Sequence, residues 1–213
     1  MESQQFRLDR ELRSTMKANL ASFERVTADQ PGLRAAAVAI AIVGAEQDDT
    51  ACFLLTIRAA KLKRHRGQYA LPGGRIDEGE DTEGAALREL SEELGLTLAP
   101  DQILGQLDDF PTRSGFRITP VVVWGGMNPD IKANPHEVES VFRIPLQDLL
   151  HHEVPRLHYI PESEHPVLSA LFPTLGDEVF APTAAMLFQF REVALSGRST
   201  RVAHYEQPTF AWS

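Results

Sequence analysis

The sequence is short of sulfur, of positive charge and of long apolar runs, and each shortage excludes something. Among 213 residues there is one cysteine, Cys52, so no disulfide can close within the chain and no cysteine-built zinc site is available. Cys52 lies in the apolar run from Ala51 to Ile57, where a buried structural thiol is expected. Lys and Arg number 21 against 30 Asp and Glu, for a net charge of −9. Wrapping nucleic acid takes cations in excess, so nucleic acid is not an expected partner; a small anionic ligand, which feels the local site, remains open. No stretch approaches the roughly 20 apolar residues that span a bilayer. The chain is polar from Glu2 onward, without the apolar segment of a signal peptide. These features predict a cytoplasmic protein without a membrane partner. Hydrophobic residues make up 43%, enough apolar material for one real core.

The patterning predicts an α/β domain. Phe6, Leu8, Leu12, Met16, Leu20, Phe23 and Val26 recur at helical spacing, giving a helix over 6–26 inside an N-terminal extension of residues 1–30 that Pro31-Gly32 closes. Residues 31–213 read as a single domain with a C-terminal helix and tail. Strands are expected at 35–43 and 52–57, around the polar turn Glu46 to Asp49, and again at 102–108, 116–124 and 138–143. Pro72-Gly73-Gly74 breaks the chain, Asp81-Thr82 offers a helix cap, and Glu83 to Leu94 reads as a helix stopping at Gly95. A short helical turn is expected at 145–150 and a helix at 181–195 with Pro182 in its first turn. The stretch 151–178, rich in Pro, His and Glu, reads as irregular, and 200–212 has strand-like composition.

The chemistry concentrates in that middle helix. Glu89, Glu92 and Glu93 stand at relative positions 0, 3 and 4, which predicts one shared face. Three like charges so close are unfavourable unless something positive lies among them. Hard divalent cations such as Mg²⁺ take carboxylate oxygens and can lower the pKa of a bound water. A solvated acidic helix is the plain alternative for three glutamates alone. The glycines before the helix let backbone approach a cation or phosphate closely. Arg88 and Glu80 can pair and fasten loop to helix, Glu80 being read as structural rather than ligating. With average residue frequencies, the whole set Gly74, Glu80, Arg88, Glu89, Leu90, Glu92, Glu93, Gly95 and Leu96 should arise by chance far less than once in about a hundred thousand chains.

That set resembles the Nudix box, G-x5-E-x7-R-E-U-x-E-E-x-G-U with U a bulky apolar residue, at every fixed position. The resemblance implies an α/β/α sandwich with a mixed β-sheet, the box forming a loop–helix–loop. It also implies Mg²⁺ or Mn²⁺ and attack by water on the diphosphate of a nucleoside diphosphate derivative. Carried over by position, Glu89 and Glu93 are the main metal ligands, Glu92 is a further ligand or base, and Gly73 offers a carbonyl oxygen. A general base or extra ligand often comes from a distal loop, which singles out Glu137, with Glu139 the competing choice.

Upstream, Leu54-Leu55-Thr56-Ile57-Arg58-Ala59, then Lys63, Gly67 and Leu71-Pro72-Gly73-Gly74, resembles the motif of coenzyme A pyrophosphatases, L-L-T-x-R-[SA]-x3-R-x3-G-x3-F-P-G-G. Lys63 stands for Arg and Leu71 for Phe, which loses a planar bidentate fork and an aromatic face. Leu104 to Asp109, Ser114 to Phe116, Asn134 to Val138 and Pro145-Leu146 extend the likeness over about residues 35–150. Arg58, Lys61, Lys63, Arg64, His65, Arg66 and Gly67 then become the phosphate-recognising segment, of which Arg58, Lys63, Arg64 and Gly67 are the expected substrate contacts. The resemblance implies cleavage of coenzyme A to 3′,5′-ADP and 4′-phosphopantetheine, with ADP-ribose, NADH, a dinucleoside polyphosphate or a noncanonical nucleoside triphosphate as the alternatives in the same class. A homodimer is implied by the family alone. A nucleotide-binding protein without turnover is the competing class, and its expected mark, loss of box carboxylates, is absent. The histidines, including His151-His152, read as solvated, and Phe210 and Trp212 as packing or an interface.

Overall fold

The computed structural model describes residues 6–28, 30–59 and 67–212. Lys61, Lys63, Arg64, His65 and Arg66 of the expected phosphate-recognising segment lie outside the described residues. The helix α1 runs over Arg10–Ser22, β1 over Arg34–Gly44, β2 over Ala51–Arg58, β3 over Tyr69–Ala70 and β4 over Gly73–Arg75. Then come α2 at Thr82–Leu94, β5 at Ile103–Gln106, β6 at Phe110–Pro111, β7 at Phe116–Gly126 and β8 at Val138–Pro145. The C-terminal part holds β9 at Arg156–His158, β10 at Val167–Phe172, β11 at Asp177–Phe180 and α3 at Thr183–Phe190, whose end widens into a π-helical turn over Arg191–Leu195.

β1 organises the main sheet. It pairs parallel with β7 along most of its length and antiparallel with β2 and β4, so the sheet is mixed. Its side chains alternate in kind as well as direction. Ala37, Ala39 and Ala41 face α2, where small residues let the helix approach closely. Val38, Ile40 and Ile42 face the other way, into a larger core with Met16 and Leu20 of α1 and the apolar residues of α3. Helices on both faces of one sheet make the α/β/α sandwich expected from the sequence.

Two buried carboxylates fasten the ends of the chain to this frame. Asp108 accepts hydrogen bonds from the Val26 N–H at 2.7 Å, from Gln189 Nε2 at 2.7 Å and from Arg201 Nη1 at 2.7 Å, joining the exit of α1, α3 and the tail. Asp109 accepts from Thr119 Oγ1 at 2.6 Å and pairs with Arg25. Buried charge of this kind is tolerable only because each oxygen has a donor.

Three expectations fail. α1 is shorter than 6–26: the Asp9 side chain accepts the Leu12 N–H at 2.8 Å and caps the helix there, while Phe23 has left helical geometry. The stretch 151–178 is not irregular but carries the antiparallel sheet β11-β10-β9. The buried strand β10 is an apolar run interrupted only by Ser169, whose Oγ donates to Glu178 at 2.5 Å and lies 2.8 Å from His158 Nε2; the Pro-, His- and Glu-rich segments on either side of it, and not its own residues, gave the stretch its polar composition. The tail 200–212 forms turns and a 3-10 helix over Thr209–Ala211 rather than a strand, touching β10 through one bridge, Val167 to Glu206. Pro208, with no N–H to give a ladder, precedes that turn. Among the described residues no helix is long and apolar enough to cross a membrane.

Candidate active site

α2 is set in place at both ends. Asp81 accepts the Gly84 N–H at 2.7 Å, and Gly95 closes the helix in the left-handed region. Ala85, Ala86, Leu90 and Leu94 form its buried stripe against β1. That rotation carries Glu93 into the protein, where it is 4% exposed, and leaves Glu89 half-buried. Glu92, expected on the same face, is turned away with its side chain 55% exposed. At roughly 100° per residue, Glu93 sits about 40° from Glu89 around the helix and Glu92 about 60° to the other side, so sheet packing that buries one turns the other out.

Arg88 is the hub of the outer side. Its Nε and Nη2 donate to Glu80 at 2.9 and 3.0 Å, its Nη1 to Glu89 at 2.8 Å and Glu92 at 3.1 Å, and its Nη2 also to the Arg75 carbonyl at 3.0 Å. Glu80 is thereby held below the usual carboxylate range, and the loop from β4 is clamped to the helix, as the sequence suggested.

The glycine loop fits round the inner pair. A Cβ on Gly74 would stand 2.3 Å from Glu89 Oε1, and one on Gly73 would stand 2.3 Å from the Ala37 carbonyl oxygen. Only residues without side chains can bring β4 this close to both carboxylate and sheet. The Gly73 N–H donates to Glu93 Oε2 at 3.3 Å, and Arg58 Nη1 lies 3.7 Å from Glu93 Oε1. Burial pushes the Glu93 carboxyl up to about 7, against the pull of Arg58, and the negative charges of Glu89 and Glu137 add to it. Glu89 is raised as well, by burial first, despite Arg88, with Glu92 and Glu137 contributing. Glu137 therefore stands in electrostatic reach of both. Its carbonyl accepts the Ala59 N–H at 2.9 Å, which ties its loop to the end of β2 beside Arg58. Glu139 is exposed on β8.

Buried carboxylates that repel one another and favour their protons are stabilised in the ionised form by a hard cation, and oxygen donors are what Mg²⁺ and Mn²⁺ take. Glu89 and Glu93 fit that role. Among the described residues, the one group of three His, Cys, Asp or Glu ligand atoms within 4.8 Å of one another is His151, His152 and Glu153, so the α2 carboxylates do not form a closed cage. The shortfall suits a cation that keeps several waters. Cys52 takes no part: burial pushes its thiol up to about 11.

A cavity of about 510 Å³ opens beside the loop. Arg58, Gly67, Gly73 and Gly74 line it, joining the upstream segment to the box, and Ala36 and Val38 form part of its floor. Glu89 and Glu93 are not in its lining; Gly74 and Arg58 are the residues through which the cavity touches them. An aromatic part of the wall comes from Tyr69, Phe116, Phe180 and Phe210, none of them among the expected substrate contacts. Phe180 and Phe210 meet edge to face at 5.7 Å, and Phe210 stays 55% exposed. Phe210, expected as packing or an interface, does pack on Phe180 and also lines the cavity. No periodic signal could have found these residues, since they come from four separated segments.

Residues 33–163 match the NUDIX domain family. A Nudix hydrolase of Escherichia coli K12 called NudL is 39% identical over 121 residues, 55% of this chain and 60% of its own. Nudix hydrolase 3 of Caenorhabditis elegans is 35% identical over 130 residues, 59% of this chain and 53% of its own, so the likeness spans somewhat over half the length of these relatives. Among solved structures, a MutT/nudix family protein from Enterococcus faecalis aligns with a TM-score of 0.51 over 89% of this chain and 75% of its own, at 19% identity, which is a likeness of fold. With a family match over more than half of its residues, this chain belongs to the Nudix family.

Proposed function

We propose that this protein is a metal-dependent hydrolase that cuts the diphosphate bond of coenzyme A, or of its derivatives, to 3′,5′-ADP and 4′-phosphopantetheine. The observation that carries the reading is Arg58, the arginine of the coenzyme A pyrophosphatase-like segment, which lines the cavity and lies 3.7 Å from the buried Glu93 of the box. One side chain thus links the cavity proposed to take the diphosphate with the buried carboxylate of the box. Gly67 donates its N–H to the Arg58 carbonyl at 3.0 Å and lines the same cavity. With Lys63 and Arg64 it completes the proposed set of substrate contacts.

In this reading Glu89 and Glu93 hold Mg²⁺ or Mn²⁺, with Glu92 and the Gly73 carbonyl as further donors. Held there, such an ion would supply charge neutralisation at the diphosphate and a lowered pKa for a water. The remaining work falls to side chains. Arg58 offers a fork of donors to a diphosphate oxygen and orients it. Glu137, on the loop facing both carboxylates, takes the proton from the attacking water. Tyr69, Phe180 and Phe210 cover the organic part of the substrate and exclude solvent. The net charge of −9 disfavours nucleic acid as a partner.

The test is a chromatographic product assay with coenzyme A and ADP-ribose offered separately alongside Mg²⁺ or Mn²⁺. Release of 3′,5′-ADP and 4′-phosphopantetheine in preference to cleavage of ADP-ribose is the expected result. Cleavage of ADP-ribose alone keeps the carboxylate chemistry and removes coenzyme A as the substrate.

A further inference from the structure

Two guanidinium groups gather on one ring at the rim of the cavity, which Arg75 and Phe116 line. The Arg34 Cζ lies 4.0 Å from the Phe116 ring centroid and the Arg75 Cζ 5.7 Å from it. Strand register explains the grouping. Arg34 is opposite Phe116 across β1 and β7, and Ala36 is opposite Arg75 across β1 and β4. Alternation puts Arg34, Arg75 and Phe116 on the face shared with Ala36 and Val38, the cavity side, while Gly74 between them turns toward Glu89. Among the described residues no ion pair reaches Arg34 or Arg75, although the chain carries 30 carboxylate residues against 21 Lys and Arg. Both side chains are exposed at the rim. Arg34 Nη2 donates to the Ser114 carbonyl at 3.1 Å, which fixes its plane. The hydroxyls of Thr112 and Ser114 lie 3.1 Å apart on the same wall.

Two like charges gathered on one ring, with no ion pair to either among the described residues, leave a local positive potential that an anion would meet. Cation–π contact holds their planes without consuming their donors. Forked donors of this kind match the oxygens of a phosphate group. The position is separate from the diphosphate site, which this chain serves through Arg58 and the Glu89–Glu93 side of β4.

We propose that Arg34 and Arg75, seated on Phe116, form a subsite for a phosphate monoester carried by the substrate apart from its scissile diphosphate. This rests on the coenzyme A reading above, in which the 3′-phosphate of the ribose is such a group. The pair then acts as a specificity element that separates coenzyme A from its 3′-dephospho form.

The experiment has two arms on the full-length protein. In the first, kcat/KM is measured for coenzyme A and for 3′-dephospho-coenzyme A in the wild type, Arg75→Ala and the double variant Arg34→Ala/Arg75→Ala, with melting temperatures as a folding control. The wild type is expected to prefer coenzyme A by about tenfold or more, which is the scale of a charged phosphate contact. The double variant loses that preference by losing activity on coenzyme A alone, and Arg75→Ala, whose side chain makes no hydrogen bond among the described residues, loses part of it. In the second arm, calorimetry compares 3′,5′-ADP with 5′-AMP on chelator-treated protein, which reads the subsite without turnover. Tighter binding of 3′,5′-ADP in the wild type, abolished in the double variant, supports the subsite even where coenzyme A is not cleaved, and that combination removes the coenzyme A reading alone. Equal binding of the two nucleotides, or a parallel loss of activity on both substrates, overturns the subsite and leaves the coenzyme A reading standing if coenzyme A is cleaved.

Discussion

On one side of β1, three alanines admit a single helix, and that helix carries every carboxylate proposed to hold the metal. On the other side, Ala36 and Val38 look into a cavity whose walls come from β3, β7, β11 and the tail. The first side is local: cap, stripe, carboxylates and stop signal fall within residues 81–95. The second is assembled from positions more than a hundred residues apart, such as Tyr69 and Phe210. A reaction can be written into one turn of helix, whereas the shape that selects a substrate has to be collected from the whole chain.

The comparison breaks most visibly on the helix side. Glu93→Gln is expected to lower turnover by more than about a hundredfold, above what losing an outer partner of a metal ligand costs. Steady-state kinetics at saturating Mn²⁺ checks it. The fold should survive, and the pH dependence of melting should show why. Glu93 holds its proton to about 7 when folded but only to 4.5 when unfolded, so the chelated wild type loses stability as pH rises across that interval. The Gln variant lacks that loss, and added divalent ion offsets it in the wild type. A variant with near-normal turnover removes the ligand role. Next in size is Gly74→Ala, whose Cβ would meet Glu89 Oε1 at 2.3 Å. A shifted Glu89 should cost turnover about ten- to a hundredfold while the melting temperature changes little, the scale of a misplaced supporting contact. A melting temperature that collapses along with activity would make the loop structural instead.

The contrast also accounts for what could be read from the chain beforehand. Helical spacing, the Asp81 cap and Gly95 fixed α2 to within a residue or two, because each acts on its own neighbours. Apolar runs bounded by turns marked β1 and β2, and the strands expected at 116–124 and 138–143 match β7 and β8; β1, β2 and β7 are buried along most of their length. Not found were β9, β10 and β11: the apolar run of β10 is six residues long, lies between Pro-, His- and Glu-rich segments, and is flanked by short strands whose inward groups, His158 and Glu178, are polar partners of Ser169. The same spacing rule that grouped Glu89 with Glu93 also included Glu92, because it records nearness on a helix and not which way the sheet turns that helix. Phe116, Phe180 and Phe210 carried no sign of convergence at all, since their meeting depends on how β11 and the tail fold back over β7.

Smaller effects test the cavity side. Phe210→Ala removes an exposed aromatic from the mouth and should raise KM about five- to tenfold with kcat nearly unchanged, near the low end of what stacking a base on an aromatic contributes. A fall in kcat with KM constant would place Phe210 among residues that act on the transition state instead.

The smallest effect concerns how the tail is held there. Glu206 accepts from Arg113 Nε at 3.1 Å, its N–H donates to the Pro166 carbonyl at 2.9 Å, and Gln207 beside it lines the cavity. Arg113 and the Gln207 N–H hold the Glu206 carboxyl down to about 2, Arg113 contributing most. Because the folded group titrates below its ordinary 4.5, its stabilisation is complete above that pH and is lost as pH falls toward about 2. Arg113 is half exposed, so solvent discounts the pair. Glu206→Gln should therefore change KM only about two- to threefold at neutral pH, a fraction of one charged hydrogen bond. It should also make protease cleavage of the tail insensitive to acid between those two values, where the wild type becomes progressively easier to cut. Equal acid sensitivity in both would show that the tail is held by its apolar contacts, with Phe210 docked by packing against Phe180 and not by the ion pair behind it.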